Sequence, residues 1–319
     1  MNKQQRIVCL GGGVGTSNLL RGLKHYPTHL TVVTSMVDDG GSSGRLRKAY
    51  GMMPPGDMIS CIAALIPDEQ EELRKLLIYR FPGEGDADNV IDGHKLGNLI
   101  MLAEFLRTHD FYKALEKTKQ IFGVTADLFP ATDIRTDLSA LTNDGRTVHT
   151  EATLDLALYS EPHGLKKIFV EPVDAPVNEK MIQNILDADI IISGPGDLYT
   201  NQLPVLVIPK IKEALLKSKA KKIFVLNIAN KPFETKDFTL KNFIEAFKEN
   251  IGSFPFDFVV ANNNHSLPIP EKYRYQYIQI DEEPRSNQPF TIIEKDIVNE
   301  EFPISHNPKK LAKVIMEAY

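Results

Sequence analysis

The sequence contains no tryptophan and only two cysteines among its 319 residues. Cys9 and Cys61 both sit in apolar segments, so they read as small buried hydrophobes. That excludes a disulfide framework and a cysteine-based metal site. No apolar run approaches the roughly 18 residues of a membrane span, and the strand after Arg6 is too short for a signal-peptide core. The expected compartment is the cytoplasm. A basic excess is also lacking: 37 Lys and Arg face 42 Asp and Glu, for a net charge of -5. Broad nucleic-acid binding, which shows a basic domain, is therefore not expected. No G-x-S-x-G elbow occurs, and neither cysteine has an adjacent basic residue to activate it. No internal repeat or low-complexity tract is visible.

What is present is an ordinary globular composition, 42% hydrophobic and 25% charged. Short apolar runs at Ile7–Leu10, Leu30–Thr34, Lys167–Val170, Ile190–Ser193, Lys222–Leu226 and Phe256–Ala261 predict strands. Several are near-continuously apolar, as parallel strands covered on both faces are. Between them, helical periodicity covers Thr16–His25, Asp57–Ile66, Asp68–Tyr79, Lys95–Arg107, Phe111–Gln120, Asn178–Leu186, Val207–Lys217 and Leu240–Asn250, with a closing helix over Asn307–Tyr319. The alternation predicts an α/β protein: a Rossmann-like, doubly wound, mostly parallel sheet with helices on both faces. Asn143-Asp144-Gly145, flanked by alternating segments, predicts a β-hairpin. It places a small β-rich insertion at about Leu128–Ile168 within a single domain spanning 1–319.

The first strand breaks on Gly11-Gly12-Gly13-Val14-Gly15-Thr16-Ser17 before a helix. Strand, glycine turn and helix start aim backbone N–H groups and a helix dipole at an anion. A glycine is missing where G-x-G-x-x-G requires one, at Thr16, and no lysine precedes Thr16 or Ser17 as a Walker A loop requires. The loop is a glycine-rich nest of another kind. Its competing role is a merely tight turn.

The second strand leads to Asp38-Asp39-Gly40-Gly41-Ser42-Ser43-Gly44-Arg45-Leu46-Arg47, whose acids and hydroxyls suit a ribose, a metal or a second phosphate. Loop capping and solvated arginines are the plainer reading. Pro55-Gly56-Asp57 opens a helix with Asp57 as a natural N-cap. In Asp92–Leu99, His94 and Asn98 are four apart and share a helical face beside Gly93 and Gly97. A lone His is usually structural, and no second His or Cys lies at metal-ligand spacing. A third glycine loop, Gly194-Pro195-Gly196-Asp197-Leu198-Tyr199-Thr200, follows an apolar strand, and Asn227 ends the next one. These loops should converge on one sheet edge, where open α/β sheets bind ligands. Asp38, Asp39, Asp57 and His94 are the acid–base candidates, with Asp38 and Asp39 the metal candidates.

Taken in order, these glycine, Asp-Asp-Gly-Gly-Ser-Ser-Gly-Arg-Leu-Arg, Pro-Pro-Gly-Asp, Gly-His-x-x-Gly-Asn-Leu and Gly-Pro-Gly-x-Leu-Tyr-Thr runs resemble the YvcK/CofD family over about residues 6–265. The second run is specific to the YvcK branch, the gluconeogenesis factors. The resemblance implies a Rossmann-like fold and a nucleotide or nucleotide-sugar ligand. YvcK-branch proteins are cytoplasmic, bind UDP-sugars and support normal cell shape on gluconeogenic carbon sources. CofD-branch proteins transfer a phospholactyl group from a guanosine diphosphate donor to a deazaflavin precursor, with magnesium; the acceptor-contacting aspartate matches Asp57. The expected function is a sugar-nucleotide-binding regulator, the alternative a transferase of the second kind that would use Mg2+; a nicotinamide oxidoreductase rests on fold analogy alone. A homodimer is left open. Two departures from the branch stand out. Lys231-Pro232-Phe233-Glu234-Thr235 replaces Gln-Pro-Gly-Glu-Thr, and Val14 and Thr16 replace Thr and Leu.

Overall fold

The computed structural model describes residues 4–83, 91–155, 164–232, 234–281 and 288–318; Phe233 lies outside them. Among these the chain runs β1 (Gln5–Leu10), α1 (Gly13–Leu23), β2 (Thr28–Thr34), α2 (Gly41–Tyr50), α3 (Gly56–Leu65), α4 (Glu71–Leu77), α5 (Leu96–Thr108), α6 (Phe111–Ile121), β3 (Asp127–Pro130), β4 (Asp137–Thr142), β5 (Thr147–His149) and α7 (Glu151–Asp155). It continues with β6 (Leu165–Glu171), α8 (Glu179–Leu186), β7 (Ile190–Ser193), α9 (Leu203–Leu206), α10 (Pro209–Lys217), β8 (Lys221–Val225), β9 (Ala229–Asn230), α11 (Leu240–Ile251), β10 (Phe258–Asn262), β11 (Gln276–Tyr277), β12 (Thr291–Lys295) and α12 (Pro308–Glu317).

Seven strands form one sheet in the order β12-β10-β8-β7-β1-β2-β3, and all six pairings are parallel. Alternate residues of each inner strand feed opposite cores, because successive side chains point to opposite faces. Val8 and Leu10 join one core with Phe224, Phe243 and Phe247. Ile7 and Cys9 join the other with Leu19, Ile59 and Leu311. This two-sided burial is why β1 and β7 read as unbroken apolar runs. Gly22 lets α1 seat against α12: a Cβ there would overlap the Pro308 carbonyl.

Several expectations shift. Lys167–Val170 lies in β6, which pairs antiparallel with β4 in a separate three-stranded sheet with β5. The hairpin at Asn143–Gly145 is present in that sheet, whereas Leu128 belongs to β3 on the edge of the large sheet. Helix α1 starts at Gly13, three residues before Thr16, and α3 starts at Gly56, so Asp57 sits in its first turn and not at the N-cap. The Asp38–Arg47 run holds a helix, α2, where a loop was expected. The short strands β3, β9, β11 and β12 and the short helices α7 and α9 are further additions.

Candidate functional site at the sheet's switch point

The chain leaves β1 for β2 and β3 on one side, then returns to β7, β8, β10 and β12 on the other. Order therefore reverses between β1 and β7, whose ends Leu10 and Ser193 are paired in register. At such a reversal, the loops beyond the two carboxyl ends part and leave a crevice. Here those loops are Gly11–Gly13 and Gly194–Gly196. Two cavities occupy the crevice, of about 350 and 500 Å³, and both are lined by Gly13 and Asn201.

The smaller cavity gathers helix beginnings. Gly13 of α1, Gly41, Ser42 and Ser43 of α2, Gly56 and Asp57 of α3, and Lys95 and Asn98 at the start of α5 all line it. None of these four helices has a side-chain N-cap, and α1, α2 and α5 carry no acid in their first turn. The dipoles of these helix starts make the cavity receptive to negative charge and to hydrogen-bond acceptors. Set against them are the carboxyls of Asp38 and Asp57. Desolvation pushes the Asp57 carboxyl up to about 6, Asp38 adds to the rise, and the Gly13 amide offsets part of it. Desolvation also raises Asp38, which accepts the Gly40 N–H at 3.0 Å. The Lys95 ammonium, bonded to Ser60 Oγ at 2.9 Å, is depressed chiefly by burial despite the nearby aspartates.

The larger cavity is flatter in chemistry. Its lining joins Gly12, Gly15, Gly196, Asp197 and Lys231 with Tyr273, Tyr275, Phe302, Ile304 and His306. Tyr273 and Phe302 meet edge to face, with ring centroids 5.5 Å apart. Lys231 Nζ donates to Asp197 at 2.9 Å. The Asn227 amide accepts from Gly196 N and donates to Gly196 O, at 3.1 and 3.0 Å, and so anchors the loop.

Most sequence-derived candidates converge here, though in altered roles. Gly12, Gly13, Gly15, Asp38, Gly41, Ser42, Ser43, Asp57, Asn98, Gly196, Asp197, Asn227 and Thr200 line the cavities. Gly11, with φ +144°, and Gly194, with φ +81°, shape the two turns from behind. Thr16 and Ser17 spend their hydroxyls on Pro195 O and Gly13 O, because both sit inside α1. Asp39 accepts the Ala152 N–H at 2.8 Å and so ties α7 to the loop. Arg45 binds Asp92 O and His94 Nε2. His94 precedes α5 and is buried outside both linings, so it does not share a helical face with Asn98. Burial first, then Arg45, lowers its pKa. Leu198 and Tyr199 belong to the core, with the Tyr199 and Thr200 amides donating to Glu234. Lys95, Asn201, Tyr273, Tyr275, Phe302 and His306 escaped the sequence reading, and Lys231 entered it only as a departure from the branch pattern. Lys95 and Asn201 each abut a motif residue; the aromatic wall has no motif to announce it.

Among the described residues, no group of three His, Cys, Asp or Glu could hold a metal ion. The Asp38–Asp39 pair does not converge, since Asp39 faces Ala152. Asp38 and Asp57, which line the same cavity and interact electrostatically, fit a cation shared with a ligand's phosphate oxygens, the usual setting for Mg2+. Such an ion would neutralise developing charge on the ligand. Among the described residues, no helix is long and apolar enough to cross a membrane.

A parallel doubly wound sheet with a glycine-walled crevice at its switch point defines an α/β ligand-binding protein of the Rossmann-like class. Residues 7–298 match the family model described as 2-phospho-L-lactate transferase CofD. A gluconeogenesis factor of Bacillus subtilis is 36% identical over 87% of this chain and 84% of its own. One from Halalkalibacterium halodurans is 31% identical over 99% and 97%. A crystal structure of a Bacillus halodurans protein superposes with a TM-score of 0.89 at 30% identity, covering 99% of this chain and all of that one. The chain belongs to the YvcK/CofD family, on its YvcK-like, gluconeogenesis-factor side.

Proposed function

We propose that this protein is a cytoplasmic regulator that binds a UDP-sugar and links its level to central carbon metabolism and cell shape. One observation carries the reading: two cavities of different chemistry meet at Gly13 across the switch point. The aromatic cavity suits a nucleoside, which stacks on Tyr or Phe faces. The Gly13 end of α1 suits the diphosphate. The cavity of helix beginnings takes the sugar. The relatives' names support the metabolic role. Titration with UDP-N-acetylglucosamine by calorimetry tests the reading; a saturable isotherm is expected, and no heat at millimolar ligand rejects it.

A transferase of the 2-phospho-L-lactate type is the second reading, favoured by the family-model match and by Asp57, whose raised pKa suits proton transfer near neutrality. Incubation with a deazaflavin acceptor, donor and magnesium should then yield a new charged product on chromatography.

A further inference from the structure

Asn98 stands out in the smaller cavity. It is fully buried, at 0% exposure, yet it lines the cavity wall. Its Nδ2 donates to Ser42 Oγ at 3.3 Å, while its Oδ1 has no hydrogen-bond partner in the protein. A buried acceptor left unmade is costly, and natural structures rarely keep one without use. The wall around it also supplies donors, the helix starts of α1, α2 and α5 and the Lys95 ammonium, set beside the carboxyls of Asp38 and Asp57.

An occupant that satisfies this wall must therefore present acceptors to the helix ends and a donor to Asn98. The fully ionised diphosphate of a sugar nucleotide offers acceptors alone. A polyol offers both from each hydroxyl. We propose that Asn98 reads a hydroxyl or amide N–H of the ligand's glycosyl portion, making the smaller cavity a sugar site and Asn98 a specificity-determining residue. The proposal rests on the UDP-sugar reading and adds the residue that recognises the sugar.

The test compares UDP with UDP-N-acetylglucosamine on the wild-type protein and on Asn98→Leu. In the wild type the sugar ligand binds more tightly than UDP. In N98L the ratio of the two dissociation constants falls about tenfold, as loss of one hydrogen bond to a buried acceptor implies. In ligand-free N98L the loss of the Ser42 bond is offset by removal of the unpartnered Oδ1; a purely structural asparagine would lower the thermal midpoint and leave the ratio of the two dissociation constants unchanged. Should N98L not fold, Asn98→Ser carries the same comparison. A ratio unchanged in the variant, or a wild-type ratio near one, overturns the proposal while leaving the nucleotide reading intact. No wild-type binding of either ligand overturns that reading itself.

Discussion

Gly12 and Asp57 face each other so closely that a methyl group on Gly12 would lie 3.1 Å from Asp57 Cγ and overlap its Oδ2. The backbone of Gly12 is extended, with φ -158°, so alanine there is not strained; what must give is the carboxyl. Gly12→Ala is expected to displace Asp57 and weaken UDP-N-acetylglucosamine binding about tenfold or more, with stability changed by less than about 1 kcal/mol. Gly15→Ala is different, because its Cβ would sit 2.6 Å from the Pro195 carbonyl carbon, and backbone cannot swing aside. It is expected to destabilise the fold by about 1–3 kcal/mol. Calorimetry and denaturant unfolding of the two variants separate these outcomes.

Two groups give opposing pH slopes. The folded pKa of Asp57 is raised to about 6, so its protonated form stabilises the fold below the unfolded pKa of 3.8, and that contribution is lost as pH rises through 6. His306 is lowered to about 4 by burial, although its Nε2 lies 3.1 Å from Leu226 O. Its contribution is present above its ordinary 6.5 and lost as pH falls toward 4. Each shift is on the order of 3 kcal/mol, and over pH 4–6 the two slopes oppose each other. Asp57→Asn should remove one of them, so the variant's thermal midpoint climbs more steeply between pH 4 and 6 than the wild type's. Identical profiles would contradict the assignment.

Arg47, only 3% exposed, is a strut between α2 and the small sheet. It donates to Val37 O at 3.2 Å and Thr136 O at 2.8 Å, and pairs with Asp137. Arg47→Lys should cost about 2–3 kcal/mol, because an ammonium cannot reproduce the planar fork. Urea unfolding at neutral pH reads the loss; a change under about 0.5 kcal/mol, the scale of an ordinary surface substitution, would mean the strut is not stabilising.

Lys231 neutralises Asp197 on the wall of the larger cavity. With glutamine there, Asp197 would repel a bound diphosphate. Lys231→Gln is expected to weaken UDP binding by about three- to tenfold and to flatten its salt dependence. Titrations at low and high salt measure both.

The sheet was legible because β1, β2, β7 and β8 are buried on both faces and read as continuous apolar runs. Helix α2 was not, because Gly41-Ser42-Ser43-Gly44 has low helix propensity; burial of Leu46 and Arg47 overrides it. The edge strands β3 and β12 are too short to show a period. In the site, the glycines and aspartates announced themselves through local motifs. Tyr273, Tyr275 and Phe302 did not, since the fold brings them to the crevice from a stretch of no regular pattern. Thr16, Ser17 and Arg45 fitted the expected chemistry but turned out to be bonded within the protein.

A single ligand spanning both cavities across Gly13 is the arrangement we propose. Electron density from crystals grown with UDP-N-acetylglucosamine would test it. The base is expected against Tyr273 and Tyr275, the diphosphate at the start of α1 and the sugar beside Asn98. Density with the sugar outside the Asp38–Asp57–Asn98 cavity, or with the nucleotide away from the Gly12–Gly15 turn, would contradict it.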